Sequence, residues 1–237
     1  STGATQRVDI TRAGFRDLVK SGITNGAFSS KFHLFDFATY CAIIFLYIIE
    51  FANWNCQSKI GQGYTNSNSS SAVRSGGTDS MTYHTGRASG TDDKTAVQYR
   101  WIENLWGNVS QWVDGFNANG TEAYYCTDPS KYADDTTTGY TKIGTLPASG
   151  WIKDLTVTDN GLLIPKTTGG SDSTYIPDYA GSSSGWRVLF VGGNWNNGSN
   201  AGLLYFNANN ASSNSNSNIS ARLLFYSLSL RRLFLIP

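Results

Sequence analysis

Apolar residues crowd one stretch of this chain more than any other. Between Asp36 and Glu50, only Thr39 and the hydroxyls of Tyr40 and Tyr47 interrupt the run from Phe37 to Ile49. Phe37, Cys41, Ile44, Leu46, Ile48 and Phe51 leave almost no polar face, which predicts a helix over 32–54 enclosed on most sides. Ile43, Phe45 and Ile49 are β-branched or aromatic, so a buried strand stays open for part of it. The run falls short of the roughly 20 residues a bilayer requires. Upstream, Phe15, Leu18 and Val19 form the stripe of a short helix from Arg12 to Val19, capped by Thr11 or Asp9 and ended by Gly22. Asn25-Gly26 marks a turn.

Beyond Ile60 the period changes. Residues 61–96 carry small polar residues and little periodicity, which predicts an irregular excursion. Order resumes at Val97–Ile102. Val109, Gln111 and Val113 then alternate with Ser110, Trp112 and Asp114, as a strand entered through a Gly-Asn turn would. Short strands broken by turns such as Asp159-Asn160-Gly161 fill Tyr124–Pro165, and Trp186–Val191 is apolar on both faces, like a strand inside a sheet. The class this predicts is α+β, with helices packed on small mixed or antiparallel sheets and long irregular loops. Trp101, Trp106, Trp112 and Trp186 are expected in its core.

The 237 residues carry a formal charge of +1, with 18 basic against 17 acidic side chains. That balance supplies no general drive toward nucleic acid or an anionic membrane, so neither nucleic-acid binding nor membrane insertion is expected. Aromatics at 14% and 25 glycines fit a loop-rich domain with large rigid side chains inside. The cysteines, Cys41, Cys56 and Cys126, are odd in number and match no zinc spacing; Cys41 reads as a core residue, and pairing of Cys56 with Cys126 stays open. Residues 1–20 are mixed and charged, without the apolar stretch of a secretory leader.

The chemistry concentrates near the end. Ten asparagines fall between Asn194 and Asn218, with no charged residue among them. A polar linker is the plain alternative. Against it stand the apolar insertion Leu203-Leu204-Tyr205-Phe206, the cost of leaving Trp195 in water, and two flanking strand-like pieces, Trp186–Val191 and Ile219–Leu224.

The stretch Gly192-Gly193-Asn194-Trp195-Asn196-Asn197-Gly198, continuing to Asn218-Ile219-Ser220-Ala221-Arg222-Leu223, resembles the variable region of proteins diversified by retroelements. Leu105-Trp106-Gly107-Asn108-Val109-Ser110-Gln111-Trp112 is similar to that family's Gly-Asn-Val-x-x-Trp motif. Glu50–Gly61 and Thr78–Gly86 resemble versions from gut phages and bacteria. The resemblance implies a C-type-lectin-like fold, shared with formylglycine-generating enzymes, over residues 9–223, with the variable region at about 186–222. Residues 1–8 read as a linker and 224–237 as an apolar tail outside the family pattern. It also implies that template adenines are miscopied, so that asparagine codons mark editable positions. Asparagine suits a binding surface because it donates and accepts hydrogen bonds and tolerates turns. The expected ligand-contacting residues are Asn194, Asn196, Asn197, Asn200, Asn207, Asn209, Asn210, Asn214, Asn216 and Asn218, with Trp195 and Tyr205 as anchors. Asn194, Asn196, Asn207, Asn209, Asn214 and Asn216 are expected to face solvent, and Leu203, Leu204, Phe206, Ile219 and Leu223 to face inward.

The partner so implied is a protein or glycan on a target cell surface, bound from a phage virion or a cell surface, with homo-oligomerisation possible and no cofactor. The rivals are an oxidoreductase like the formylglycine-generating relatives and a purely structural virion or surface subunit. Against catalysis, no cysteine follows Cys126, the only histidines are His33 and His84, and no nucleophile triad or phosphate loop is present. Asp92-Asp93 and Asp134-Asp135 have calcium-ligand chemistry, but acidic pairs in loops are usually just solvated, so no metal is expected.

Overall fold

The computed structural model describes residues 3–66 and 71–225. Ser67–Ser70 of the irregular excursion and residues 226–237 of the apolar tail lie outside the described residues.

Three helices come early: α1 (Arg12–Thr24), α2 (Phe37–Phe51) and α3 (Cys56–Lys59), with the short strand β1 (Phe32–Leu34) between the first two. Thr11 caps α1 by accepting from the Gly14 amide, and the helix runs past Gly22 to Asn25. Asp36 caps α2, its Oδ1 accepting from the Thr39 amide at 2.8 Å. That cap shortens the expected helix, because the chain before Asp36 is extended in β1. Phe37, Tyr40, Cys41, Ile44 and Tyr47 make one buried stripe. Enclosure on most sides is not observed: Leu46 is 45% and Ile49 79% exposed.

Strands dominate the remainder. They are β2 (Gly86–Arg87), β3 (Val97–Tyr99), β4 (Ile102–Glu103), β5 (Ser110–Asn119), β6 (Glu122–Tyr125), β7 (Thr141–Thr145), β8 (Gly150–Val157), β9 (Leu163–Thr168), β10 (Tyr179–Ser182), β11 (Trp186–Val191), β12 (Phe206–Asn210), β13 (Ile219–Ala221) and β14 (Leu223–Phe225). The protein is a mixed α+β structure built mostly of strands. The main sheet has the order β7-β6-β5-β11-β12-β10-β8-β9, with β13 also paired to β5. The β10/β12 and β13/β5 pairs are parallel; the others in this sheet are antiparallel. β14 pairs with β1, and β2-β3-β4 form a small separate sheet.

Two cores flank β5. On one face, Phe37, Ile44 and Tyr47 of α2 meet Val113, Phe116, Leu189, Val191, Phe206 and Ala208. On the other, Phe15 and Val19 of α1 meet Trp112, Val188, Phe190, Tyr205 and Ile219. β5 is therefore buried on both faces from Ser110 to Ala118. Its register with β11 shifts between Val188 and Phe190, as at a bulge that re-aims side chains. The shift spans Asp114 and Gly115, and Gly115 has φ +74° with Tyr132 packed against it.

Of the four tryptophans expected inside, Trp106 and Trp112 are fully buried and Trp186 is half-buried. Trp101 is 64% exposed. The physical reason is the two-residue hairpin between β3 and β4: Arg100 and Trp101 both have positive φ, 49° and 66°, which places Trp101 at the tip of a tight turn.

Arg12 escaped the sequence reading altogether. It is fully buried, donating to the carbonyls of Val113 and Phe116, to Asn117 Oδ1 at 2.6 Å and to Asp134 Oδ1 at 2.7 Å. Arg16 forks onto Asp114 at 2.8 and 2.9 Å and reaches Asp134 at 2.7 Å. Burial pushes the Asp134 carboxyl up, but the two guanidinium groups outweigh it and hold that carboxyl below its usual range. Replacing Arg12 with Met leaves Asp134 short of one of its two cations, the β5 carbonyls unpaired and Asn117 short of a donor. We expect Arg12→Met to lose about 3–5 kcal/mol in urea denaturation; a loss below about 1 kcal/mol would show that the cluster does not hold α1 to β5.

Candidate functional site

The asparagine-rich segment begins where β11 ends. Gly192 and Gly193 turn the chain with φ of +87° and +73°. A Cβ on Gly192 would lie 2.5 Å from the Leu105 carbonyl oxygen, and one on Gly193 would lie 2.7 Å from the Ala201 methyl, so both positions demand glycine. The loop that follows is fastened by its own backbone. The Trp195 amide donates to Asn108 O at 3.0 Å and the Gly198 amide to Thr65 O at 2.9 Å. Gln57 donates to Ser199 O at 2.9 Å and also to Ala201 O.

The motif residues upstream serve the same scaffold. Gly107 and Asn108 both have positive φ, and Asn108 pairs through its amide with both backbone groups of Val73 at 2.9 Å. Arg222 donates to Gln111 Oε1 at 2.9 Å and Glu103 O at 2.8 Å, tying the end of the segment to the start of β5.

Between the two asparagine groups lies a buried floor, Gly202–Phe206. Leu203, Leu204 and Phe206 face the core as expected. Its backbone polar groups are satisfied by side chains from elsewhere: the Leu203 amide by Cys56 Sγ at 3.1 Å, the Leu204 amide by Asp178 Oδ2 at 2.6 Å, and the Leu203 carbonyl by the Tyr40 hydroxyl at 2.9 Å. Such pairing is what allows irregular backbone to sit inside a protein.

The ten asparagines do not form one plane. Asn194, Asn196, Asn197 and Asn200 lie in the loop beyond the Val191 end of β11. Asn207, Asn209 and Asn210 run along β12 toward its other end, since Phe206 pairs with Val191 and Asn210 with Val188. Asn214, Asn216 and Asn218 occupy the loop that returns to β13, where the Asn218 carbonyl accepts from the Ser110 amide at 2.9 Å.

Four of the expected contact residues are interior. Asn194, Trp195, Tyr205 and Asn207 are each only 5% exposed. Asn194 Oδ1 accepts from the Asn196 amide at 3.0 Å, folding the loop on itself, and Asn197 Oδ1 accepts from the Asn194 amide at 2.8 Å. Trp195 and Tyr205 are core residues, not surface anchors, because each belongs to backbone pinned against the sheet. Asn207 lies across Gly181, whose missing Cβ makes its room, and donates to the Tyr205 hydroxyl at 3.0 Å. Asn214 accepts from the Ala211 amide at 2.7 Å yet is exposed. Leu223, expected inward, is 43% exposed because it starts β14 and leaves the main sheet for β1.

Asn196 and Asn209 are exposed, and Asn197, Asn200, Asn210, Asn216 and Asn218 partly so. Among the described residues, the side chains of Asn196, Asn200, Asn209, Asn210, Asn216 and Asn218 make no hydrogen bond within the chain, while the backbone carrying them is held. Two further residues that sequence reasoning missed, Trp151 and Tyr179, lie by register on the sheet face of the buried Asn207, and their rings meet edge to face at 6.1 Å. Both are partly exposed. Isolated aromatics in short strands carry no motif, so only the pairing reveals them.

The three cysteines are buried and unpaired, and burial pushes the Cys41 thiol up to about 12 and the Cys56 thiol well above its usual value. Protonated thiols are poor nucleophiles. Asp134 is engaged by Arg12 and Arg16. Among the described residues, no group of three or more His, Cys, Asp or Glu is placed to hold a metal ion, and no helix is long and apolar enough to cross a membrane. No protein-family model matches the chain, and no curated protein sequence matches it.

The site separates asparagines that build the loop from those that decorate it. Gly192→Ala should cost about 1–3 kcal/mol through strain and the Leu105 clash, and Asn194→Ala about 1 kcal/mol through the lost turn bond. Asn196→Ala and Asn209→Ala should stay within about 0.5 kcal/mol of the parent. Thermal melts of the four variants check the ranking; equal losses across all four would erase the distinction.

Proposed function

We propose that this chain is a hypervariable ligand-binding protein of the retroelement-diversified kind, on a C-type-lectin-like fold, and that it has no turnover chemistry of its own. One observation carries the reading. Six asparagines within a segment resembling a variable region, two exposed and four partly so, carry side-chain amides with no hydrogen bond within the chain, on a backbone that does not depend on them. Substitution there changes the recognition surface and spares the core, as editing by a retroelement requires. Neutral amides and hydroxyls beside partly exposed aromatic rings are the chemistry of adaptable binding surfaces. The surface bears no charge in Asn194–Asn218, which favours a neutral protein or glycan epitope over nucleic acid. Display on a phage virion or a cell surface follows from the resemblance.

The rival oxidoreductase needs an ionisable thiol, and the burial that keeps the Cys41 and Cys56 thiols protonated argues against it. A purely structural subunit has no use for six solvent-accessible amides without a bond inside the chain.

Two measurements test the reading. Replacing Asn196, Asn200, Asn209, Asn210 and Asn216 together with Tyr, Ser or Asp should change which targets are captured from a panel of bacterial surfaces. The melting temperature should move by no more than a few degrees. A collapse in stability across most such variants would make these residues structural and remove the proposal. Sequencing the neighbouring DNA should show a reverse transcriptase gene and a near-copy of the codons for residues 186–222 that differs at adenines; finding neither would remove the retroelement reading.

A further inference from the structure

One buried acid is left over from the scaffold and the surface alike. Asp178 lies just before β10, fully buried, with its carboxyl against Gly202. A Cβ at residue 202 would come within 2.3 Å of both carboxyl oxygens, so glycine is what admits the acid to this place. Oδ2 accepts from the Leu204 amide at 2.6 Å, and the Tyr205 amide also bears on the carboxyl. Oδ1 is buried with no hydrogen-bond partner, and so is the hydroxyl of Tyr47. The titratable groups around it are Tyr40 and Tyr47 of α2 and Cys56 of α3, with Cys41 beside Tyr40 and Tyr99 of β3 beside Tyr47. Every one of these is a neutral acid that burial keeps protonated. No Lys, Arg or His contributes to the ionisation of Asp178.

We propose that Asp178 is a proton-controlled latch: as the neutral acid it clamps Gly202–Tyr205 beneath both asparagine groups, and its ionisation releases that floor. The ionised form would be an anion in an apolar site with two amides and no cation. Burial outweighs those amides and pushes the pKa up to about 8. The unfolded chain gives up the same proton near about 3.9. The stabilisation is therefore complete below that value and declines as pH rises through about 8. Between those two values, states in which the floor lifts and the carboxylate meets water gain population as pH rises, and the gain levels off above about 8. This floor joins the Asn194–Asn200 loop to β12, so the geometry of both would loosen with it. That consequence for binding rests on the reading above; the latch itself does not.

The experiment uses the whole chain labelled with carboxyl-13C aspartate. Infrared spectra should show a protonated aspartic acid carbonyl band at neutral pH that disappears between about pH 7 and 9 and is missing from Asp178→Asn. Hydrogen-exchange protection of the Leu203–Tyr205 amides should fall by up to about tenfold per pH unit as pH rises toward about 8 and level off above it in the parent, and should show no such fall in Asp178→Asn. Absence of the protonated band at neutral pH, or the same loss of protection in both proteins, overturns the latch. Should Asp178→Asn not fold, the infrared titration of the parent decides alone. Success here with unchanged target choice in the asparagine variants would retain the latch and discard only the binding reading.

Discussion

Burial of β5 on both faces is the constraint from which the rest of this structure follows. A strand enclosed for nine residues needs a covering layer on each side, and its ladder must be completed along both edges. The chain answers with α2 on one face and α1 on the other, β11 along one edge, and β6 and β13 dividing the other. Because β13 comes from beyond the asparagines, the asparagine-rich segment is closed at both ends onto the same strand. Its length and path are thus set by the sheet and not by its own side chains.

Two polar features inside the molecule follow from the same geometry. The bulge at Asp114–Gly115 turns a carboxylate and two carbonyls toward α1, and Arg12 and Arg16 satisfy them. The segment after Gly202 crosses the core without regular pairing, and Cys56, Asp178 and Tyr40 supply the missing partners. In both places a buried polar group is matched from an element distant in sequence. Such clusters make a fold specific, since an apolar substitute fits the volume but leaves partners exposed to nothing.

The same enclosure explains the division of labour among the asparagines. Where the backbone bends against the sheet, amides are drawn inward to complete turns, as at Asn194 and Asn197. Where it runs past the edge of the cores, they are left with no partner, as at Asn196 and Asn209. The second kind outnumbers the first: among the described residues, six of the ten side chains make no hydrogen bond within the chain.

Local pattern was enough to read much of this protein. The α+β class, the capped helix after Thr11, the central apolar helix, Trp186–Val191 as an enclosed strand, and Leu203, Leu204 and Phe206 as core all follow from periodicity and turn chemistry, which act over a few residues. Tertiary structure decided what local pattern does not encode. Trp101 is exposed because a two-residue hairpin puts it at a tip. Trp195, Tyr205 and Asn207 are interior because hydrogen bonds and a facing glycine pull them against the sheet. Arg12 and Asp178 are buried because their partners arrive from about 100 and 26 residues away, respectively. Periodicity reports which face of an element is apolar. It carries no information about which distant backbone group will need a proton donor, and that choice was made only when the elements packed.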